Sequence, residues 1–105
     1  MRNEHRLLGL LGLAMRAGQV VSGDDMAERE IRAGRAALAL IDADASERTR
    51  DKYEALCKGR GIPLTELGAD ALGRSIGRDN RRIAVVRKGP LAKQMATLLQ
   101  TGEQP

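Results

Sequence analysis

Ala36-Ala37-Leu38-Ala39-Leu40-Ile41 is an unbroken apolar run of strand length. It has no polar alternate to turn toward water, so as a strand it must lie inside a sheet covered on both faces. Periodicity alone leaves a buried helix open for the same residues, and the neighbouring segments have to decide.

Those neighbours alternate between helical and strand character. Residues 3–16 read as a Leu-rich helix ended by Gly18, and Gln19-Val20-Val21 is a short β-prone piece. Ser22-Gly23-Asp24-Asp25 opens a second helix, with a capping hydroxyl and acids at its positive end. On it Ala27, Ile31 and Gly34 share one face, and Glu28, Arg29 and Arg32 lie away from it. After the apolar run, Ser46 caps a helix whose face includes Tyr53, Leu56 and Cys57, ending near Gly59 and Gly61. Ile62 to Leu67 reads as a strand, with Pro63 tolerable at its start or at a sheet edge. Ala69 to Gly77 suggests a short helix, and Ile83-Ala84-Val85-Val86 a buried strand. Pro90 suits a first helical turn, and Leu91, Met95, Leu98 and Leu99 form an i, i+4, i+7, i+8 stripe. Residues 102–105 are expected to fray. This order predicts an α/β fold with helices on both faces of one sheet, as a single domain over residues 1–105.

Composition excludes several functions. The 105 residues are 42% hydrophobic and 30% charged, an ordinary globular balance. Tyr53 is the sole aromatic, so the stacking platform of single-strand binders is missing. One cysteine, Cys57, and one histidine, His5, cannot assemble a zinc site, and no cofactor or metal is expected. A Ser–His–Asp arrangement would have to use His5, at a frayed N-terminus. Asp42 and Asp44 follow the apolar run and read as loop solvation and capping around Ser46. No Gly-x-Gly-x-x-Gly follows a strand, and there is no Walker loop. No catalytic residues are expected. Leu7 to Met15 resembles a short signal h-region, but Glu4 interrupts the basic start and no small-x-small site follows. With no stretch near the ~20 apolar residues that span a bilayer, no membrane association is expected, and a reducing cytoplasm fits best.

Charge is more informative. Residues 1–52 hold nine basic and nine acidic groups, whereas Arg74 to Lys93 holds seven basic residues against Asp79 alone. Fourteen of the eighteen basic residues are arginine, whose planar fork suits phosphates and guanine edges. Such a segment is an electrostatic footprint for nucleic acid or, more plainly, a solvated surface. Gly23 at a helix start lets a ligand backbone approach, free N–H groups there bind phosphate, and Arg29 lies one turn in. The plain alternative is a helix cap with an exposed arginine, and two adjacent aspartates oppose phosphate.

The strings LLGLAMRAGQVVSGDD, IRAGRAALALIDADASERTRDKYEALCKGRGIPL and ALGRSIGR resemble the YlxQ-like branch of a ribosomal-protein superfamily that includes the kink-turn RNA binders L-seven-Ae and L-thirty-e. The similarity runs from about Leu8 to Leu99. It implies a three-layer α/β/α sandwich with a mixed, about four-stranded sheet, no catalysis, and binding of structured RNA. The superfamily signature Gly-x-Asn-Glu-x-x-Lys falls on Gly23, Asp25, Met26 and Arg29. Asp25 loses the amide donor but still accepts from guanine N–H groups, and Met26 makes no strong hydrogen bond. The resemblance also implies a second contact in an apolar loop before the fourth helix, here Leu67, Gly68 and Ala69. The expected RNA-binding set is thus Ser22, Gly23, Asp24, Asp25, Arg29, Arg32, Leu67, Gly68, Ala69 and Arg74. Structured RNA, with ribosomal RNA as one candidate, is the expected partner of a monomer tied to the ribosome or the transcription machinery. Two alternatives stay open: a protein–protein adaptor of that machinery, and an RNA-gripping domain of a larger modifying protein.

Overall fold

The apolar run is one of the two interior strands of a four-stranded sheet. The computed structural model describes residues 2–101, so the fraying expected of Gly102 to Pro105 falls outside the described residues. In chain order the elements are α1 (Arg2–Arg16), β1 (Val20–Ser22), α2 (Asp24–Arg32), β2 (Ala36–Asp42), α3 (Glu47–Arg60), β3 (Leu64–Leu67), α4 (Ala71–Ile76), β4 (Ile83–Arg87) and α5 (Pro90–Thr101). The strand order is β1-β4-β2-β3. β4 runs antiparallel to both β1 and β2, and β3 runs parallel to β2 after the α3 crossover that parallel pairing requires.

Alternation along β2 and β4 divides the core in two. Leu38, Leu40, Ala84 and Val86 meet Leu7, Leu11, Leu72 and Met95 from α1, α4 and α5. Ala39, Ile41, Ile83 and Val85 meet Ala27, Ile31, Tyr53 and Cys57 from α2 and α3. The chain therefore forms the α/β/α sandwich with a mixed four-stranded sheet, and both faces of β2 are buried as its composition demands. Ser46 caps α3 by accepting from the Thr49 N–H at 3.1 Å, and Gly61 closes that helix in the left-handed region at φ 67°. Edge strand β3 begins just after Pro63, whose missing N–H is harmless there.

Four local expectations are corrected. Ser22 does not cap α2: it pairs with Ala84 in β1, and Gly23 takes the cap position without any side-chain cap bond. Gly34 is not on the α2 face, because the helix stops at Arg32 and Gly34 is exposed at φ 79°. Asp42 is not solvated. It is the last residue of β2, fully buried, with Oδ1 accepting from the Asp44 N–H at 2.8 Å and Oδ2 without a partner. His5 lies within α1 and is exposed.

One buried charge ties α2 to the sheet. Glu30 is 3% exposed and accepts from Arg35 (Nε 3.1 Å, Nη2 3.0 Å) and Arg87 (Nε 3.0 Å, Nη2 3.3 Å). Hydrogen bonding from Arg35 outweighs burial, and with Arg87 it lowers the Glu30 pKa to about 2. A carboxyl whose folded-state pKa is depressed stabilises the fold fully above its ordinary value of 4.5, and that stabilisation is lost as pH falls toward about 2. Glu30→Gln should therefore cost on the order of 2 kcal/mol at neutral pH. In urea titrations at stepped pH the gap to wild type should begin to narrow below about pH 4.5 and close near about pH 2. A gap independent of pH would show that the charge of Glu30 does not carry the contact.

Candidate nucleic-acid interface at the start of α2

Gly23 joins β1 to α2 with φ 93° and ψ 153°, a region open essentially to glycine alone. Its N–H donates to the Ile83 carbonyl at 3.0 Å and its carbonyl accepts from the Ala27 N–H at 2.9 Å. The Gly23 N–H is thus occupied and cannot meet a ligand as the sequence suggested. The next three, of Asp24, Asp25 and Met26, are the orphan donors of a first turn that has no side-chain cap.

The two aspartates differ. Asp24 accepts from Lys52 Nζ at 2.8 Å and from the Tyr53 hydroxyl at 2.6 Å, so its charge is answered by α3. The Lys52 hydrogen bond, then that of Tyr53, holds the Asp24 carboxyl below the usual range. Lys52 also pairs with Glu28 at 2.7 Å, and its own pKa is raised, chiefly by Asp24. Burial, then the neighbouring carboxylate, pushes the Tyr53 phenol well above its ordinary value, so it stays a donor. Asp25 and Arg29 are exposed and make no ion pair among the described residues, and Met26 is 46% exposed.

The neighbour of Gly23 comes from the α4–β4 turn. A Cβ on Gly23 would sit 2.5 Å from Nη1 of Arg81, so this guanidinium lies directly over the glycine. The turn is held by the Arg78 N–H donating to the Gly73 carbonyl at 2.9 Å. Gly73 must stay bare, since a Cβ there would lie 2.6 Å from the Arg78 carbonyl. Arg81 belonged to the basic segment in the sequence, but no spacing connected it to Gly23. Only the β1–β4 pairing, Ser22 against Ala84, brings them together.

The remaining expected residues are dispersed. Arg32 ends α2, about 12 Å from the helix start at 1.5 Å per residue, with Nε on Glu28 at 2.8 Å. Leu67, Gly68 and Ala69 lie at the same end of the sheet as Gly23. Strand order separates β3 from β1 by three spacings, about 14 Å. Leu67 is 1% exposed, a core residue whose side chain offers no surface to a base. The Gly68 N–H donates to Glu4 at 2.9 Å, and Ala69 is exposed. Arg74 is exposed beside a polar cleft of about 390 Å³ shared with Asp70, Asp79 and Arg82. Ser22 is half-buried in β1.

Comparison with known proteins follows the same outline. The profile of the ribosomal protein L7Ae/L30e/S12e/Gadd45 family matches residues 5–97. The "RNA-binding protein YlxQ" of Bacillus subtilis (strain 168) is 42% identical over 91 residues, covering 86% of this chain and 91% of that protein. Its namesake in Enterococcus faecium is 30% identical over 99 residues, covering 93% and 95%. Among solved structures, a protein of unknown function from Bacillus halodurans C superposes with a TM-score of 0.82 at 30% identity, covering 90% of this chain and 96% of that one. A Giardia lamblia 15.5kD RNA binding protein shares the fold at TM-score 0.85 and 23% identity, covering 98% and 89%. No helix among the described residues is long and apolar enough to cross a membrane.

Gly23→Ala tests the geometry of the turn. It should cost ~1–3 kcal/mol in chemical denaturation, because the side chain forces a disfavoured backbone region and displaces Arg81. A variant as stable as wild type would mean that the turn readily adopts another path.

Proposed function

The chain belongs to the ribosomal protein L7Ae/L30e/S12e/Gadd45 family, and we propose that it binds structured RNA, of the sharply bent kink-turn type, at the start of α2. Phosphate meets the free N–H groups of Asp24, Asp25 and Met26, where the helix dipole favours an anion. Arg81 lies over Gly23 at that point, and exposed Arg29 stands about 7.5 Å further along α2. Asp25 accepts from the N–H groups of a guanine edge, and exposed Met26 packs against an unpaired base. Asp24 is spared from repelling phosphate because Lys52 and Tyr53 hold it.

Ala69 and Arg74 stand further along the same end of the molecule, where a longer RNA reaches them. Leu67 and Arg32 have no part in this contact, the first being buried and the second lying at the other end of α2. Ribosomal RNA in the cytoplasm is the natural source of such a substrate. No chemical step is assigned to the chain. The single observation carrying the reading is an uncapped helix start with a bare glycine and the Arg81 guanidinium over it.

Fluorescence anisotropy on an RNA duplex bent by an asymmetric bulge provides the test. Arg29→Ala should weaken binding by ~1–3 kcal/mol if its guanidinium reads a base edge. Arg81→Ala, a phosphate contact, should weaken bulged RNAs of different sequence alike and lower the salt slope by about 1. Unchanged affinity in the Arg29→Ala, Arg81→Ala double variant would remove RNA from this surface.

A further inference from the structure

The pole opposite Gly23 carries a second concentration of positive charge. β2 begins there and β4 ends there, with Ala36 paired to Arg87 and the Lys88 N–H donating to the Arg35 carbonyl at 3.1 Å. The C-terminal turns of α2 and α3 end at the same pole, joined where Arg60 Nη1 donates to the Arg32 carbonyl at 3.0 Å. Segments 32–37, 58–63 and 87–89 contribute Arg32, Arg35, Lys58, Arg60, Arg87 and Lys88, and contain no acid.

Two of the three carboxylates nearest this pole, Glu30 and Glu28, are already engaged. Glu30 is buried and bound on both oxygens by Arg35 and Arg87. That clamp uses Nε and Nη2 of each guanidinium and leaves Nη1 of both outside the pair, on side chains 58% and 40% exposed. One carboxylate thus fixes two arginines side by side with a net positive charge. Glu28 is held by Arg32 and Lys52. Glu54, on α3 four residues before Lys58, is exposed and makes no ion pair with it. Lys58 and Lys88 are exposed and unpaired among the described residues.

Of these cations Arg60 and Lys88 line a cleft of about 750 Å³, together with Gly34, Gly59, Gly61 and the apolar Ile31 and Ile62, and Lys58 precedes Gly59 on α3. Gly34 and Gly61 answer to positive φ, but Gly59 does not. Gly59 sits in the last turn of α3, where a Cβ would meet nothing within 4 Å. Neither backbone nor packing calls for glycine at a helical position where it costs ~1 kcal/mol relative to alanine. Its effect is a bare wall that a ligand backbone can approach closely.

We propose that this cleft is a second nucleic-acid contact, in which the phosphate backbone of an RNA duplex seats against the glycines between Arg60 and Lys88, with exposed Lys58 as the next cation along α3. The Arg35–Arg87 pair extends the contact along the pole. The choice of RNA as polymer rests on the function proposed above, and the cleft itself does not. A duplex fits better than a single strand, because the segments forming this pole hold no aromatic side chain on which bases could stack and Tyr53 is buried. The two contacts lie about 20 Å apart, the length of β2, so one bent RNA or two separate helices can be held at once.

The test crosses two variants with two RNAs. The probes are a blunt, unbulged RNA duplex of about 16 base pairs and the bulged RNA used above. Affinities are read by anisotropy between about 50 and 200 mM salt. K58Q/K88Q should bind the blunt duplex about tenfold more weakly, with the slope of log affinity against log salt reduced by about 2. Its circular dichroism and melting should match wild type, since neither lysine has a partner to lose. R29A/R81A should lose more affinity for the bulged RNA than for the blunt duplex, the reverse of K58Q/K88Q. Wild-type affinity and salt slope in K58Q/K88Q, or no blunt-duplex binding by the wild-type chain at low salt, would overturn the second contact. Either result leaves the start of α2 to be judged on the bulged RNA, where R29A/R81A alone decides.

Discussion

The antiparallel pairing of β4 with β2 determines where every functional group of this chain can sit. Its register, Ile83 against Ile41 and Arg87 against Ala36, makes one end of β4 the neighbour of Gly23 and the other the neighbour of the α2–β2 turn. The pairing also fixes the faces: Leu38, Leu40, Ala84 and Val86 meet α1, α4 and α5, and Ala39, Ile41, Ile83 and Val85 meet α2 and α3. A register shift between Ala36 and Leu38 turns Ala36 to the second face. A slip of one residue would exchange the two cores and carry the basic turns to different partners. The sheet thereby divides one basic segment between two poles.

Carboxylates in this fold mainly hold cations in place. Asp24 gathers Lys52 and Tyr53, so an acid that appeared to oppose an anion instead becomes part of a neutralised local pair. Glu30 draws two arginines to the sheet end and stays ionised while buried, because four hydrogen-bond contacts replace its hydration. Burying a charge is unfavourable unless it is paired in this way. Asp42 is the contrast: one oxygen organises the turn toward Asp44 and the other has no partner. The net surface potential therefore depends on which cations these acids leave free, a property of pairing rather than of composition.

Much of the architecture was legible along the chain. The apolar run 36–41 required a doubly covered strand, Ser46 and Gly61 bracketed α3, and the Leu91, Met95, Leu98 and Leu99 stripe marked α5. These are local or periodic signals, and the core enforces them. Helix starts at glycine were harder to read. Ser22 looked like a cap because its hydroxyl precedes a helix, but its backbone was needed to pair with Ala84. Leu67 ends β3 as its place in the Ile62–Leu67 strand predicts, but the base contact that the resemblance implies for it meets a side chain turned into the core.

What the sequence by itself determined was the layering, a glycine at position 23 with Arg29 six residues on, and the absence of an aromatic stacking platform. Each of these follows from residue type and short-range spacing, which act before the chain has folded. Tertiary structure alone decided that Arg81 lies over Gly23, that Lys52 and Tyr53 hold Asp24, and that Arg35, Arg60 and Lys88 share one pole. Those contacts join residues far apart in the chain. Their proximity is set by strand register and helix packing, which leave no mark on the spacing of the residues they bring together.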